Sequence, residues 1–327
     1  MTFDRDRPPR RILITGASGF VGSALVRALD RHSGYLPISA VRSEESVTVP
    51  NTELFLIPGI TSSTNWGACL KDTSVVVHAA ARVHVMKEIA ADALREFRKV
   101  NVEGTINLAR QAAEAGVRRF IFISSIKVNG EATKLGHPFT AGDKPAPSDA
   151  YGISKKEAED ALHAISMETG MEIVIIRPPL IYGPGVKANF RNMMGWLKKG
   201  IPLPFGAIYN KRSLVSLENL VSLILLCLEH PGAVGQVFLV SDGLDLSTTE
   251  LLKRTASALG VKSRLIPVPE SMLMFSAVML GRRALSQRLC GSLQVDISKT
   301  RSLLGWSPPV TVEDALNRTA KEFLEYS

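Results

Sequence analysis

The chain has 327 residues, of which 45% are hydrophobic and 21% are charged, a composition typical of a soluble globular protein with one large or two modest domains. Its 39 Lys and Arg residues and 31 Asp and Glu residues give a formal net charge of +8. The basic residues are spread along the chain without a dense block, which favours a phosphate-bearing cofactor and substrate over a nucleic-acid groove.

The cysteine and histidine spacing argues against a metal site. Cys69, Cys227 and Cys290 are far apart and form no CxxC or zinc-ligand pattern, so we expect reduced thiols and no metal. We interpret His78 as a structural residue at a strand end, and we interpret His84 as a solvent or core residue in preference to one that faces substrate. The first eleven residues lack the apolar region of a secretory signal, and no apolar run approaches the ~20 residues of a membrane span. We therefore expect a cytoplasmic protein without stable membrane insertion.

A glycine-rich turn near the start of the chain predicts a dinucleotide site. Residues 12–15 form an apolar run typical of a buried parallel strand, and a helical pattern then runs to about residue 29. Between them, Gly16, Gly19 and Gly22 allow a sharp turn, close approach of the backbone to a pyrophosphate, and helix–strand packing. The phosphates would lie at the helix N-terminus, where free N–H groups favour negative charge. A glycine-rich turn without a ligand is the weaker alternative.

Arg42 bears on the choice of cofactor. Residues 36–41 are predicted to form the second strand, and Arg42 follows it directly. An acidic residue in this region accepts the ribose hydroxyls of NAD, whereas an Arg accommodates the 2′-phosphate of NADP. We therefore favour NADP(H), and NAD(H) remains the alternative because Glu44 and Glu45 follow closely.

Strand and helix patterns alternate over the first half of the chain. This alternation predicts an α/β fold, a Rossmann doubly wound parallel sheet with ligands at the carboxyl ends of its strands. We expect a dinucleotide-binding domain over residues 1–178, with return segments near 214–242, and a smaller C-terminal α/β domain over 179–327 that mainly binds substrate. Further strands are predicted at residues 54–57, 75–81, 120–125, 172–177 and 237–240, with helices at 94–115, 151–168, 189–199, 217–228 and 247–259.

Tyr151 and Lys155 form a candidate proton-transfer pair. Positions i and i+4 lie on one helix face, so the Lys ammonium can reach the Tyr phenol. A nearby cation favours the ionised phenol and lowers its pKa from about 10 towards neutrality. Ser124 and Ser125 fall at the carboxyl end of a predicted strand, where such a pair would meet a ligand. A surface Tyr–Lys pair is the alternative, and the upstream glycine turn makes it the weaker one.

These motifs occur together in a familiar order. The runs T-G-A-S-G-F-V-G from Thr15, S-S-I from Ser124, Y-G-I-S-K from Tyr151 and R-P-P-L-I-Y-G-P-G from Arg177 resemble the extended short-chain dehydrogenases, the NAD(P)-dependent nucleotide-sugar epimerase/dehydratase family. The resemblance covers nearly the full length and implies that Ser125, Tyr151 and Lys155 are catalytic. It implies cofactor contacts at Gly16, Gly19, Phe20, Val21, Gly22, Arg42, Ile60, Ala79, Ala80, Ala81, Asn101, Tyr151, Lys155 and Pro178. It implies substrate contacts at Ser125, Lys127, Asn189 and Arg212.

Within this family the chain looks most like bacterial 4-keto reductases of surface-polysaccharide clusters, such as those of O-antigen and lipopolysaccharide synthesis. These enzymes reduce a UDP-linked 4-keto-6-deoxy-N-acetylhexosamine to UDP-N-acetylquinovosamine or its 4-epimer. The resemblance implies a UDP-sugar substrate, and we expect a homodimer. UDP-glucose 4-epimerase is the second interpretation. It is less favoured because epimerases often carry Tyr at position 129 and Asn at position 180, where this chain has Asn129 and Leu180.

Two further functions are less favoured. A dehydratase needs a carboxylate acid–base pair beside the catalytic Ser, and Ile126 and Lys127 supply none. A non-catalytic NADP-sensing Rossmann protein would commonly lose one residue of the Tyr–Lys pair, and this chain retains both.

Residues 272–280 are apolar on every helical face and are followed by Gly281, Arg282 and Arg283. The run is too short to cross a bilayer. We expect it to be buried in the smaller domain or in a dimer contact, in preference to an interfacial helix with basic flanks.

Overall fold

Parallel strands form the central layer of the protein. The computed structural model describes residues 9–44, 52–83, 92–279 and 289–326. The strands of its main sheet are β1 (Arg10–Thr15), β2 (Tyr35–Val41), β3 (Glu53–Leu56), β4 (Thr73–His78), β5 (Arg119–Ile123), β6 (Glu172–Arg177) and β9 (Val237–Leu239), and β7 (Leu180–Tyr182) and β8 (Leu214–Ser216) form a separate pair. The main sheet has the order β3-β2-β1-β4-β5-β6-β9, and all its pairs are parallel. The predicted doubly wound Rossmann sheet is confirmed.

Helices cover both faces of this sheet. A π-helical segment, Lys99–Glu103, joins the helices Ala93–Arg98 and Gly104–Glu114 into one continuous helix. The helices of the described residues are α1 (Phe20–Asp30), α2 (Gly67–Leu70), α3 (Ala93–Arg98), α4 (Gly104–Glu114), α5 (Ala150–Thr169), α6 (Ala188–Lys198), α7 (Leu217–Cys227), α8 (Thr248–Ala258), α9 (Glu270–Met279), α10 (Ser298–Leu304) and α11 (Val312–Glu325).

Alternation along β1 shows how the sheet divides the core. Ile12 and Ile14 belong to a cluster that includes side chains of α1 and α7, whereas Leu13 belongs to the cluster that includes side chains of α4 and α5. All three side chains are fully buried. A strand covered by helices on both faces needs apolar residues at every position, which explains the continuous apolar run in its sequence.

The strand order reverses at the centre of the sheet. From β1 the chain moves outward to β2 and β3, and it then crosses back to place β4 on the other side of β1. Helical connections leave on opposite faces at this point, so a crevice opens at the carboxyl ends of β1 and β4. The structure ends β4 at His78, three residues before the predicted end, and residues 79–83 border the crevice instead.

A second core lies in the C-terminal part of the chain. It contains Tyr182, Met194, Leu252 and Leu316 together with other side chains of α6, α8 and α11. The short parallel pair β7–β8 borders it. The sequence analysis missed both strands, because three residues are too few to establish a period-2 pattern.

The expected burial of α9 within this chain is wrong. Met272, Phe275 and Met279 expose 61%, 69% and 73% of their surface. Apolar composition shows what a helix can bury but not whether a neighbour is present to cover it. Within the residues that the structure describes, no helix combines the length and apolar character needed to cross a bilayer.

Candidate active site

A cavity of about 780 Å³ opens at the carboxyl ends of the central strands. It is bordered by the glycine turn after β1, the residues after β2, β4 and β5, and the start of α5. Most of the residues implied by the family resemblance are therefore brought together. Those that line the cavity are Gly16, Gly19, Phe20, Val21, Gly22, Arg42, Ile60, Ala79, Ala80, Ala81, Ser125, Tyr151, Lys155 and Pro178.

The glycine turn forms a close-packed cradle at one end of the cavity. Gly16 has a positive φ of 67°, and a Cβ on it would lie 2.8 Å from the backbone nitrogen of Ala80. A Cβ on Gly22 would lie 2.1 Å from the carbonyl oxygen of Gly16. The first turn of α1 has no acidic residue, and no side chain caps its N-terminus. The first residues of α1 line this end of the cavity, so their backbone N–H groups are available to a dinucleotide pyrophosphate.

The other side of the cavity is suited to an adenosine. Arg42 follows β2 and lines the cavity with an exposed side chain. Gly59 also lines this side, and a Cβ on Gly59 would meet nothing within 4 Å. This side of the cavity therefore has room for a base, and Arg42 supplies a cation at its edge.

Ser125, Tyr151 and Lys155 converge at the base of the cavity. An interaction with the Ser125 side chain lowers the pKa of Tyr151. Withdrawal from solvent has the larger effect and, together with the charge of Asp149, raises the pKa of Tyr151 to about 12. The expected fall in this pKa is therefore not seen. The Lys155 ammonium instead donates to the Ile123 carbonyl at 2.8 Å.

Lys155 lies in an unusual environment for a cation. Its ammonium is buried, 4.3 Å from the centroid of the Phe122 ring. Burial lowers the pKa of Lys155 to about 7, while the charge of Glu159 acts in the opposite direction. An amine with a pKa near 7 can exchange a proton at neutral pH, and only its protonated form can stabilise a neighbouring phenolate.

A buried polar network supports these groups from below. Ser124 donates to Glu159 at 2.5 Å, and Arg177 donates two hydrogen bonds to the same carboxylate at 3.0 and 2.5 Å. A third Arg177 nitrogen donates to the Asn129 side chain at 2.9 Å, and Asn129 donates to the Thr140 carbonyl at 3.0 Å. The network joins the ends of β5 and β6 to α5 and to the loop after residue 129.

The sequence analysis missed Glu159 and Arg177 as members of this network. Glu159 lies one helical turn after Lys155, on the same face of α5, so its spacing was a usable signal. Arg177 was quoted only as the start of a motif. Its pairing with Glu159 brings together the middle of α5 and the last residue of β6, and no local pattern shows that contact.

The comparisons with known proteins agree with this geometry. The profile of the "NAD dependent epimerase/dehydratase family" matches residues 12–241.

The chain belongs to that family.

Two relatives and one solved structure illustrate the family likeness. A Vibrio cholerae protein named UDP-glucose 4-epimerase is 51% identical over 99% of this chain and 98% of its own length. A Pseudomonas aeruginosa protein named GDP-6-deoxy-D-mannose reductase is 26% identical over 94% of this chain and 95% of its own. The crystal structure of a Bacillus cereus UDP-glucuronic acid 4-epimerase in complex with NAD has a TM-score of 0.78 at 20% identity, over 97% of this chain and 99% of that one. The last comparison shows the shared fold.

Asn101 was a predicted cofactor contact of this family member, but it lies behind the cavity and not on its wall. Asn101 lies in the π-helical segment and is buried. It accepts a hydrogen bond from the Arg82 backbone at 2.8 Å and donates to the Arg82 carbonyl at 3.1 Å and to Ser154 at 3.0 Å. Asn101 thereby ties the cavity-lining backbone after β4 to the helix that carries Tyr151.

Three predicted substrate residues lie away from the cofactor cavity. Lys127 forms ion pairs with Asp149 and Glu131. Asn189 is exposed in the first turn of α6, and Arg212 donates to the Gly291 carbonyl at 3.0 Å. Their roles in substrate binding stay predictions.

Of the two histidines that the sequence analysis interpreted, the structure describes only His78. His78 is buried between the hydroxyls of Thr15 and Thr105 at 2.6 and 3.0 Å, and burial lowers the pKa of His78 to about 3. His84 lies outside the described residues. Across the described ranges, no group of three His, Cys, Asp or Glu side chains is arranged to hold a metal ion.

Proposed function

We propose that this family member acts at C4 of a UDP-linked hexose and that its reaction is 4-epimerisation. The observation that carries the proposal is the 51% identity, over nearly the whole of both chains, to the Vibrio cholerae protein named UDP-glucose 4-epimerase. The cavity is consistent with it, because Ser125, Tyr151 and Lys155 line the same space as the glycine cradle.

The chain's own residues supply binding and proton transfer. A bound nicotinamide cofactor supplies hydride acceptance and donation. The Tyr151 phenolate would accept the proton of the C4 hydroxyl, and the phenol would return that proton to the keto oxygen after the sugar has turned its opposite face, which inverts C4. Ser125 hydrogen-bonds the same C4 oxygen and holds it beside Tyr151. Lys155 stabilises the phenolate when the ligands are bound.

We assign the remaining predicted contacts to the substrate. The side chains of the second core all come from residues 179–327, and Asn189 and Arg212 belong to this part of the chain. A guanidinium offers a planar pair of donors that matches a pyrophosphate. Arg212 is therefore our candidate for the UDP phosphates and Asn189 our candidate for the sugar.

A second candidate is the NADPH-dependent reduction of a UDP-linked 4-keto-6-deoxy-N-acetylhexosamine. Arg42 at the cavity edge supports it, because an exchanged NADPH needs a cation for its 2′-phosphate. Asn129 also supports it, since this side chain is bonded to Arg177 and Thr140 where epimerases often carry a substrate-facing Tyr. In this reaction Tyr151 donates the proton and the cofactor is consumed.

One assay separates the two candidates. Purified protein is incubated with UDP-glucose or UDP-N-acetylglucosamine without added cofactor, and in parallel with the 4-keto sugar and NADPH. We expect interconversion at C4 without added cofactor, because an epimerase regenerates its own. Consumption of one NADPH per 4-keto sugar, with no epimerisation, would replace our first candidate with the second. Lack of turnover in both would contradict the proposed reactions.

Arg42→Asp should shift the cofactor preference from NADP towards NAD. An anion at this position would repel a 2′-phosphate and accept ribose hydroxyls. The measurement is the ratio of the two dissociation constants for wild type and variant. A wild-type protein that already binds NAD several-fold more tightly than NADP would contradict our cofactor prediction.

Lys127→Met should move the acid limb of the pH–rate profile to higher pH by about half a unit to one unit. This shift is smaller than the shift that a directly adjacent charge would cause. Asp149 raises the pKa of Tyr151, and the Lys127 ammonium pairs with that carboxylate. Without the ammonium the pKa of Tyr151 rises further, so the reactive phenolate forms only at higher pH.

Asp149→Asn is the matched opposite variant for this test. Asp149 caps α5 by accepting from the Gly152 N–H at 2.7 Å, and Asn caps helices equally well. The substitution therefore removes only the charge, and the acid limb should move downward. If both variants leave the profile unchanged while altering thermal stability, the ion pair has only a structural role.

A further inference from the structure

An exposed apolar stripe runs along one side of α9. Met272, Phe275 and Met279 follow the spacing i, i+3 and i+7, which places them on one face of the helix. Each exposes more than three fifths of its surface. Isolated exposed apolar side chains are ordinary, but three long ones aligned on one helix are typical of a surface that another molecule covers.

The segments beside α9 extend this surface. Residues 200–206 run alongside 264–266, since Leu203 N–H donates to the Arg264 carbonyl and Ile266 N–H donates to the Leu203 carbonyl. Ile266 and Ile201 are 51% and 40% exposed. The chain then reaches α9 within four residues of Ile266, so the exposed apolar side chains of these two segments lie near the start of α9.

Basic side chains border the same region. Lys199, Lys262 and Arg264 are exposed, and none of them forms an ion pair within the described part of the chain. The Arg264 guanidinium lies 3.8 Å from where a Cβ on Gly200 would stand, which connects the two basic segments. Glu270, at the start of α9, is the acidic residue next to this rim and is half-buried.

We propose that this apolar, basic-rimmed face binds the surface of an anionic lipid bilayer. Helices whose apolar side chains enter the headgroup region bind membranes through buried apolar area, and nearby Lys and Arg residues add attraction to anionic lipids. The proposal adds a peripheral contact to a chain whose described helices do not cross a bilayer. It does not depend on which C4 reaction the enzyme performs.

A second copy of the chain is a poorer occupant of this face. A two-fold contact is isologous, so this face would meet the same face of the other copy, and both faces carry the cations Lys199, Lys262 and Arg264. Like charges brought together at an interface disfavour association. An anionic lipid surface matches both the apolar stripe and its rim.

Vesicle co-sedimentation of the full-length protein tests the proposal. Vesicles of phosphatidylcholine alone are compared with vesicles that also contain phosphatidylglycerol, at low and high salt. We expect binding to the anionic vesicles that weakens with salt. The triple variant M272S/F275S/M279S should lose at least about tenfold in partition coefficient, because it removes the apolar anchor. The variant K199Q/K262Q/R264Q should lose about fivefold for each cation removed.

The matched control is L135S/M167S/L303S, whose side chains are 64%, 90% and 44% exposed on the loop after residue 129, on α5 and on α10. It should bind vesicles as the wild type does. The proposal would be overturned if the wild-type protein does not bind anionic vesicles. It would also be overturned if the M272S/F275S/M279S variant binds them with the wild-type partition coefficient. A dimer by light scattering that becomes a monomer only in M272S/F275S/M279S would assign the face to a second copy instead.

Discussion

Tyr151→Phe should lower turnover by about 10²–10⁴-fold while leaving the fold and cofactor retention intact. The substitution removes one oxygen and keeps the ring that packs edge-on against Phe97, with 6.0 Å between ring centroids. The lost oxygen is the only group of the Tyr151 side chain that can carry a proton. Ser125 then keeps its place but has no acid–base partner. The measurement is kcat on the substrate identified in the epimerase and reductase assay.

Tyr326→Phe is the control for this variant, because that phenol is 71% exposed at the end of α11 and lies in no part of the cavity wall. Its activity should equal that of the wild type. Circular dichroism and bound nicotinamide per protein should be the same in both variants. Tyr151→Phe activity within threefold of wild type would remove Tyr151 from the proposed mechanism.

The largest expected effect on stability comes from Arg177→Met. Its guanidinium and the Glu159 carboxylate are 5% and 3% exposed, so the substitution leaves a buried carboxylate with Ser124 as its remaining side-chain donor. Breaking a buried pair by removing one partner costs about 3–5 kcal/mol. Asn129 also loses the donor to its side-chain oxygen. We expect the free energy of unfolding in urea to fall by about this amount, and activity to fall with it.

Two comparisons make the stability test specific. In the double variant Glu159→Leu with Arg177→Met neither charge of the pair is left buried, so it should be more stable than Arg177→Met alone. Arg98→Met breaks the exposed pair with Glu157 and should cost about 0.2–1 kcal/mol. Equal falls in the free energy of unfolding for the buried and exposed pairs would show that the buried network contributes no more to stability than a surface ion pair.

The sequence predicted the strands of the main sheet and the glycine turn after β1 well, because both depend on local patterns. The run at residues 12–15 reads as β1, and glycine at positions 16 and 22 is required by contacts that any Cβ would violate. The distance from Arg42 to the glycine turn follows from the length of one βα unit. These features are written within about thirty residues of each other.

The supporting contacts could not be predicted, because they join distant segments. Asn129 meets Arg177 across 48 positions, and Lys127 meets Asp149 across 22. The sequence analysis interpreted Lys127 as a substrate residue, whereas the structure pairs it with the cap of the catalytic helix. The burial of Lys155 and Tyr151 likewise depends on the whole wall of the cavity. Their shifted pKa values therefore followed from no motif.

The π-helical segment Lys99–Glu103 restricts how this protein can change in length. A π turn holds one residue more than an α turn, so deleting one residue there would yield an uninterrupted and locally more regular helix. The deletion would also rotate α3 relative to α4, because one residue corresponds to about 100° about the helix axis. Either Asn101 would leave the Arg82 backbone, or α3 would turn Phe97 away from Tyr151. Descendants of this chain should therefore tolerate insertions and deletions in surface loops while keeping the residue count between Phe97 and Thr105 constant.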